Sequence, residues 1–253
     1  MRKIAVVSGK GGIGKTMLSM NLAYLLHNKF NYHTAVVDCN LTTPHLSLSL
    51  GAHDQDKTLN QVLLGQANLE EAILEHPTGV RILPASTKLK DLEGVDINLL
   101  GQVLANNQSN LILDSAPGIG REGMASIAAA DEILFITQPH MAAVADIHRC
   151  SKVAAMLNKN ILGIVVNCRK GMKHELSTAE IEQTTELPVI AEIPYDIEVE
   201  KSIAARLPLD IYNCRSPANA ALYEICSKIT GIKMERPKSF FDRIFCKIGL
   251  RKK

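Results

Sequence analysis

The strongest constraint on this chain is a short glycine-rich run near its start, Gly9-Lys10-Gly11-Gly12-Ile13-Gly14-Lys15-Thr16. It fits the pattern G-x-x-x-x-G-K-[ST], which cradles phosphates when a strand precedes it and a helix follows. Both flanks meet that condition. Ile4–Val7 is an apolar, β-branched run of the kind found in buried parallel strands. After Thr16, Met17, Leu18, Leu22, Leu25 and Leu26 recur at helical spacing. Glycine lets the backbone take turns closed to other residues and approach a ligand closely. Successive N–H groups then point inward as an anion nest, at the positive end of the helix. Gly11, Gly12, Ile13, Gly14, Lys15, Thr16 and Met17 are therefore expected to bind a nucleotide. Lys15 reaches the β- and γ-phosphates in such a loop, and the Thr16 hydroxyl ligates Mg²⁺.

Downstream, apolar runs alternate with helical patterns. Thr34–Asp38 and Asn110–Asp114 read as strands, and each ends on an acid. The carboxyl edge of an open α/β sheet is where ligands bind. Further strands are expected over Val80–Pro84, Glu132–Thr137 and Ile161–Asn167. Helices are expected over Ile97–Leu104, Met141–Leu157, Glu198–Arg206 and Pro217–Ile229, the last opened by Ser216 and stopped by Gly231. Thr58–Leu74 carries two short amphipathic patterns separated by Gly65, and His148 is expected in solvent. This alternation implies a mostly parallel sheet with helices on both faces.

With 253 residues and 46% hydrophobic content, residues 1–231 accommodate one such domain. A net charge of +2 argues against a surface coated for nucleic acid. Six scattered cysteines without a C-x-x-C pair match reduced thiols rather than a zinc or iron–sulfur site. No apolar run approaches the ~20 residues of a membrane span, and no leader-like segment precedes the first strand. A cytoplasmic protein is the expectation.

Lys10 adds to the loop pattern. The run Lys10–Thr16 resembles the deviant Walker A box of the MinD/ParA ATPases, relatives of the nitrogenase iron protein. The resemblance spans residues 1–231, and its motifs occur in the family's order. It implies a P-loop NTPase fold, ATP and Mg²⁺ as cofactors, and a homodimer that sandwiches ATP. Lys10 would reach the partner's nucleotide, supplying charge as an arginine finger does. Asp38-Cys39-Asn40 matches switch I, usually D-x-D. Asp38 would help organise Mg²⁺ with Thr16 and Asp114. Asn40 stands where the family has the acid that aligns or activates the attacking water. An asparagine can orient water but cannot accept its proton, so hydrolysis is expected to be slow. Asp114-Ser115-Ala116-Pro117-Gly118 matches Walker B and switch II, with the alanine and proline in reverse of the usual order. Gly118 would leave its N–H free to approach the γ-phosphate. Asn167 matches the residue that reads the adenine edge, and Pro194 and Asp196 belong to a box lying along the base.

Residues 232–238 read as a charged linker and 239–253 as an amphipathic helix, with three of the chain's five phenylalanines. On a helix, Phe240, Phe241, Ile244, Phe245 and Ile248 share one face, beside Arg243, Lys247 and Arg251. That pattern describes a helix lying in an anionic membrane surface. MinD-type members end similarly, whereas DNA-partitioning ParA members generally do not. The resemblance thus implies a MinD-like switch that positions cellular machinery, at the division site or at polar structures. It would sit peripherally on the inner face of the cell membrane in its ATP state. An unidentified regulatory or cargo protein is the expected partner, and specific DNA binding is not expected. The residues leave open a docked terminal helix, a ParA-like DNA or cargo partitioner, and an ATP-gated scaffold that does not hydrolyse.

Overall fold

The computed structural model describes residues 1–52 and 55–234. Within them lie the strands β1 (Lys3–Val7), β2 (Thr34–Asp38), β3 (Leu74–Glu75), β4 (Arg81–Leu83), β5 (Asn110–Asp114), β6 (Glu132–Thr137), β7 (Asn160–Arg169) and β8 (Val189–Pro194). They form one sheet in the order β3-β4-β2-β5-β1-β6-β7-β8. Every pair is parallel except β3 with β4. Helices make the crossovers: α1 (Lys15–Asn28), α2 (Leu46–Leu50), α3 (Leu59–Leu63), α4 (Leu69–Ala72), α5 (Leu100–Val103), α6 (Arg121–Ala129), α7 (Met141–Met156), α8 (Thr178–Thr185), α9 (Ile197–Ala204), α10 (Leu209–Asn213) and α11 (Pro217–Thr230).

Because successive strand residues point to opposite faces, each strand feeds two cores. Ile4, Val6, Val36, Ile112 and Leu134 join one, on the side of α1 and α11. Ala5, Val7, Val37, Leu113 and Phe135 join the other, with residues of α3, α5, α6 and α7. Both faces are covered, which is why the strands read as continuous apolar runs. The central strand β1 carries the glycine-rich loop at its carboxyl end, between β5 and β6.

The apolar stripe of α1 understates its burial. All residues from Met17 to Leu26 are buried, because α1 packs against β2 and β5 on one side and against α10 and α11 on the other. Polar groups enclosed there find partners, as burial requires. Asn21 donates from Nδ2 to the Met17 carbonyl at 2.8 Å and accepts the Leu209 N–H at 2.7 Å, tying α1 to α10.

Several local expectations hold at single residues. Ser216 caps α11 through the Asn219 N–H with Pro217 in the first turn, and Gly231 ends the helix at φ 75°. Gly65 breaks the Thr58–Leu74 region at φ 69°. Other segments differ from their sequence pattern. Leu74 pairs antiparallel with Ile82 instead of closing a helix. Ile97–Leu99 is a 3-10 turn that leads into α5. Val189–Pro194 is a strand despite its proline, which an edge position tolerates. The helix α6 lacks a stripe of large apolar residues and so left no clear period in the sequence. His148 is half-buried on α7 and not fully in solvent. Among the described residues, no helix is long and apolar enough to cross a membrane.

Candidate nucleotide site

The loop between β1 and α1 is shaped by two kinds of glycine. Gly14 has φ 105°, and a Cβ there would lie 2.3 Å from the Asn167 Nδ2, so conformation and space both demand glycine. A Cβ on Gly9 would lie 2.0 Å from Cβ of Asp146, because α7 packs directly on the loop. Gly11 and Gly12 instead border open space. There a cavity of about 400 Å³ is lined by Gly11, Gly12, Lys15, Thr16 and Met17 from this side, and by Asn40 from the other. Lys15 is buried, with Nζ donating to the Ser8 hydroxyl at 2.8 Å and more weakly to the Lys10 carbonyl at 3.5 Å. Burial pushes its pKa down, and the neighbouring Asp114 opposes that shift. An ammonium held by neutral acceptors in a nest of N–H groups is a ready counter-charge for phosphate.

The two strand-end acids meet because β2 and β5 are neighbours. Asp38 and Asp114 stand in register, 0% and 3% exposed. Asp114 accepts the Thr16 hydroxyl at 2.7 Å and the Ser19 hydroxyl at 3.1 Å. Asp38 accepts the N–H of Asn40 at 3.2 Å and of Leu46 at 3.1 Å. Burial, then the charge of Asp114, holds the Asp38 carboxyl well above the usual range. Asp114 is also raised by burial, with the Thr16 hydroxyl and Lys15 working against it. Two buried carboxylates and a hydroxyl are hard oxygen donors whose charge calls for a cation. The set fits Mg²⁺, which keeps several waters and takes phosphate oxygens beside one or two carboxylates. Among the described residues, no group of three or more His, Cys, Asp or Glu side chains that could hold a metal ion occurs.

The loops after these strands are latched together. Thr42 donates its N–H and hydroxyl to Glu122 Oε1 at 3.0 and 2.6 Å, joining the loop after β2 to the first turn of α6. A second cavity of about 510 Å³ lies between the two loops, with Asn40, Leu41, Ala116 and Glu122 in its wall. The Thr43 hydroxyl donates to Asn40 Oδ1 at 3.0 Å. Gly118 corrects an expectation. Its φ is 73°, and its N–H is not free but donates to the Ser8 carbonyl at 2.8 Å. The loop folds back on the end of β1, where an unpaired N–H would be costly.

Other site residues are placed as follows. Lys10 is half-exposed, with Nζ 3.7 Å from Asp146 Oδ2. Asn167 is buried and donates from Nδ2 to the Ile13 carbonyl at 2.8 Å, so one amide hydrogen is already committed to the loop. Pro194 ends β8, and neither it nor Asp196 lines the cavity, whereas Ile203 of α9 does. Asp196 caps α9 through the Glu198 N–H and accepts the Ser216 hydroxyl at 2.5 Å, joining two helix starts. Phe240, Phe241, Arg243, Ile244, Phe245, Lys247 and Ile248 lie outside the described residues. Ser8, Ser19 and Glu122 escaped the sequence reading. Only Ser19 left a signal, at i+3 from Thr16 on the same helix face.

A profile of the ParA family, described as NUBPL iron-transfer P-loop NTPase, matches residues 1–230. An uncharacterised ATP-binding protein of Methanocaldococcus jannaschii is 36% identical over 235 residues, covering 92% of this chain and 89% of its own. The solved cell division ATPase MinD of Pyrococcus furiosus superposes with a TM-score of 0.85 at 29% identity, over 92% of this chain and 99% of its own. The septum site-determining MinD of Pyrococcus horikoshii, solved with Mg-ADP, gives 0.84 at 27% identity, over 90% and 95%. On the family match over residues 1–230, the neighbouring loop and acids, and these relatives, the chain belongs to the ParA family of P-loop NTPases, among ATPases of the MinD/ParA type.

Proposed function

We propose that this ATPase is a slow, dimerising membrane switch that positions cellular machinery. ATP with Mg²⁺ is its cofactor pair. The observation that carries the reading is a cavity lined by Lys15 and Thr16, with Asp114 bonded to Thr16 from behind it, Asp38 in register beside Asp114, and Lys10 half-exposed on the same loop. Lys15 and the loop N–H groups neutralise phosphate charge as it shifts toward the leaving group. Thr16, Asp38 and Asp114 would hold Mg²⁺, which supplies Lewis-acid charge on the phosphate oxygens. Asn40 orients water without taking its proton. In a loose transition state orientation matters more than deprotonation, so turnover is slow but not absent. Lys10 at the surface is available to a second subunit, and dimerisation then sets two tails on one membrane. A single tail binds weakly, because ordering it costs ~1–2 kcal/mol per residue. Two linked tails gain avidity of ~10²-fold or more.

The six cysteines include no C-x-x-C pair, and that sequence feature favours positioning over metal transfer as the use of the fold. The test is liposome co-sedimentation with ATP, ADP and no nucleotide, alongside phosphate release. ATP-dependent pelleting with anionic vesicles and slow release is expected. Equal pelleting in ADP and ATP would sink the switch. ATP-dependent, salt-sensitive DNA binding without vesicle binding would favour a DNA partitioner, and no release at all a scaffold.

A further inference from the structure

We propose that His45 is a nucleotide-contacting residue of switch I, donating a ring N–H to the terminal phosphate of ATP. The inference rests on the ATP site proposed above and names a contact that the P-loop pattern does not. The chain from Asp38 to Leu46 is closed on itself, because the Asp38 carboxylate accepts the N–H of both Asn40 and Leu46. His45 immediately precedes Leu46, so its backbone is fixed relative to the buried acid. Its carbonyl is held as well, accepting the N–H of Ser49 at 2.9 Å and the Ser49 hydroxyl at 2.8 Å.

His45 is exposed and lines the nucleotide cavity together with Asn40 and Thr43. Lys15 and His45 are the ionisable side chains in that wall, among the described residues. The Asn40 oxygen and the Thr43 hydroxyl are bonded to each other. The His45 ring has no such hydrogen bond among the described residues, only the backbone carbonyl of that residue being engaged. An imidazole carries at least one N–H in either protonation state, and phosphate oxygens are strong charged acceptors. Switch loops in P-loop proteins are ordered by the γ-phosphate, so the contact distinguishes ATP from ADP.

The experiment is calorimetric titration of the full chain with Mg²⁺ and either AMP-PNP or ADP, for wild type, His45→Ala, His45→Gln and Lys15→Ala. His45→Ala is expected to weaken AMP-PNP about tenfold, as for loss of a hydrogen bond to a charged group, with ADP changed by less than about threefold. His45→Gln keeps an N–H of similar reach and is expected to recover most of the AMP-PNP affinity. Equal weakening of both nucleotides, equal loss in both His45 variants, or no loss would overturn the inference while leaving the ATP site standing. Wild type that binds neither nucleotide, or Lys15→Ala that binds like wild type, would overturn the site itself and this contact with it.

Discussion

Two lysines of one loop have opposite surroundings, and their substitution separates two functions. Lys15 is buried against the Ser8 hydroxyl, whereas Lys10 is 49% exposed and pairs with Asp146 at 3.7 Å. A half-exposed pair of that length contributes little stability, so it does not hold Lys10 firmly. Lys15→Ala is expected to abolish nucleotide binding, because the main counter-charge disappears. Lys10→Ala is expected to bind ATP as a monomer and lose the ATP-dependent dimer in sedimentation velocity. An intact ATP dimer in that variant would remove the role of Lys10 in trans. Asn40 yields a second prediction at this scale. Asn40→Asp places a proton acceptor in the cavity wall and is expected to raise phosphate release several-fold. A several-fold drop would show that this loop uses a different arrangement for the water.

At the scale of elements, the loop after β2 is held at both ends. Asp38 closes it from within, and Glu122 latches it to α6. Asp38 makes this element sensitive to pH. Burial raises its pKa above the unfolded value, so the folded chain holds a proton that the unfolded chain releases. Stability from that proton is fully present below the unfolded pKa and is lost as pH rises through the folded pKa. The nucleotide-free, Mg²⁺-free protein is therefore expected to melt at lower temperature at neutral than at mildly acidic pH. Asp38→Asn should flatten that decline while reducing Mg²⁺-dependent phosphate release. A wild-type profile with the opposite slope, unchanged in the variant, would remove Asp38 as the cause.

Over the whole molecule, the sheet order brings the loop, both acids and both switch loops to one edge, while the chain leaves α11 elsewhere. Met234 packs on the core beside α1 and α11, and its N–H and carbonyl contact the Ser227 hydroxyl at 3.4 and 3.5 Å. A truncation that respects the fold therefore falls after Met234. It is expected to leave melting and nucleotide binding unchanged and to abolish vesicle binding. Phe241→Glu should do nearly the same by placing a charge in the apolar face. Replacing Lys247 and Arg251 with Gln should weaken binding to anionic vesicles mainly, with the deficit shrinking as salt rises. Pelleting of the truncated chain with vesicles would assign membrane binding to the folded domain.

The loop's chemistry is written locally. Glycines at Gly12 and Gly14, a lysine, a hydroxyl, a strand before and a helix after are all legible along the chain, because backbone conformation and short-range spacing are local properties. For the same reason β2, β5 and β6 were readable to the residue, each a buried apolar run with a polar end. Partners were not legible. That Asp38 faces Asp114 depends on β2 lying beside β5, and strand order leaves no mark in the periodicity of either strand. The engagement of Gly118 with Ser8, of Asn167 with Ile13, and of Asp196 with Ser216 likewise depends on which segments meet. The full enclosure of α1 followed from α10 and α11 closing over it. A hydrogen bond or a buried surface belongs to two segments at once, and the packing of the whole chain chooses the second.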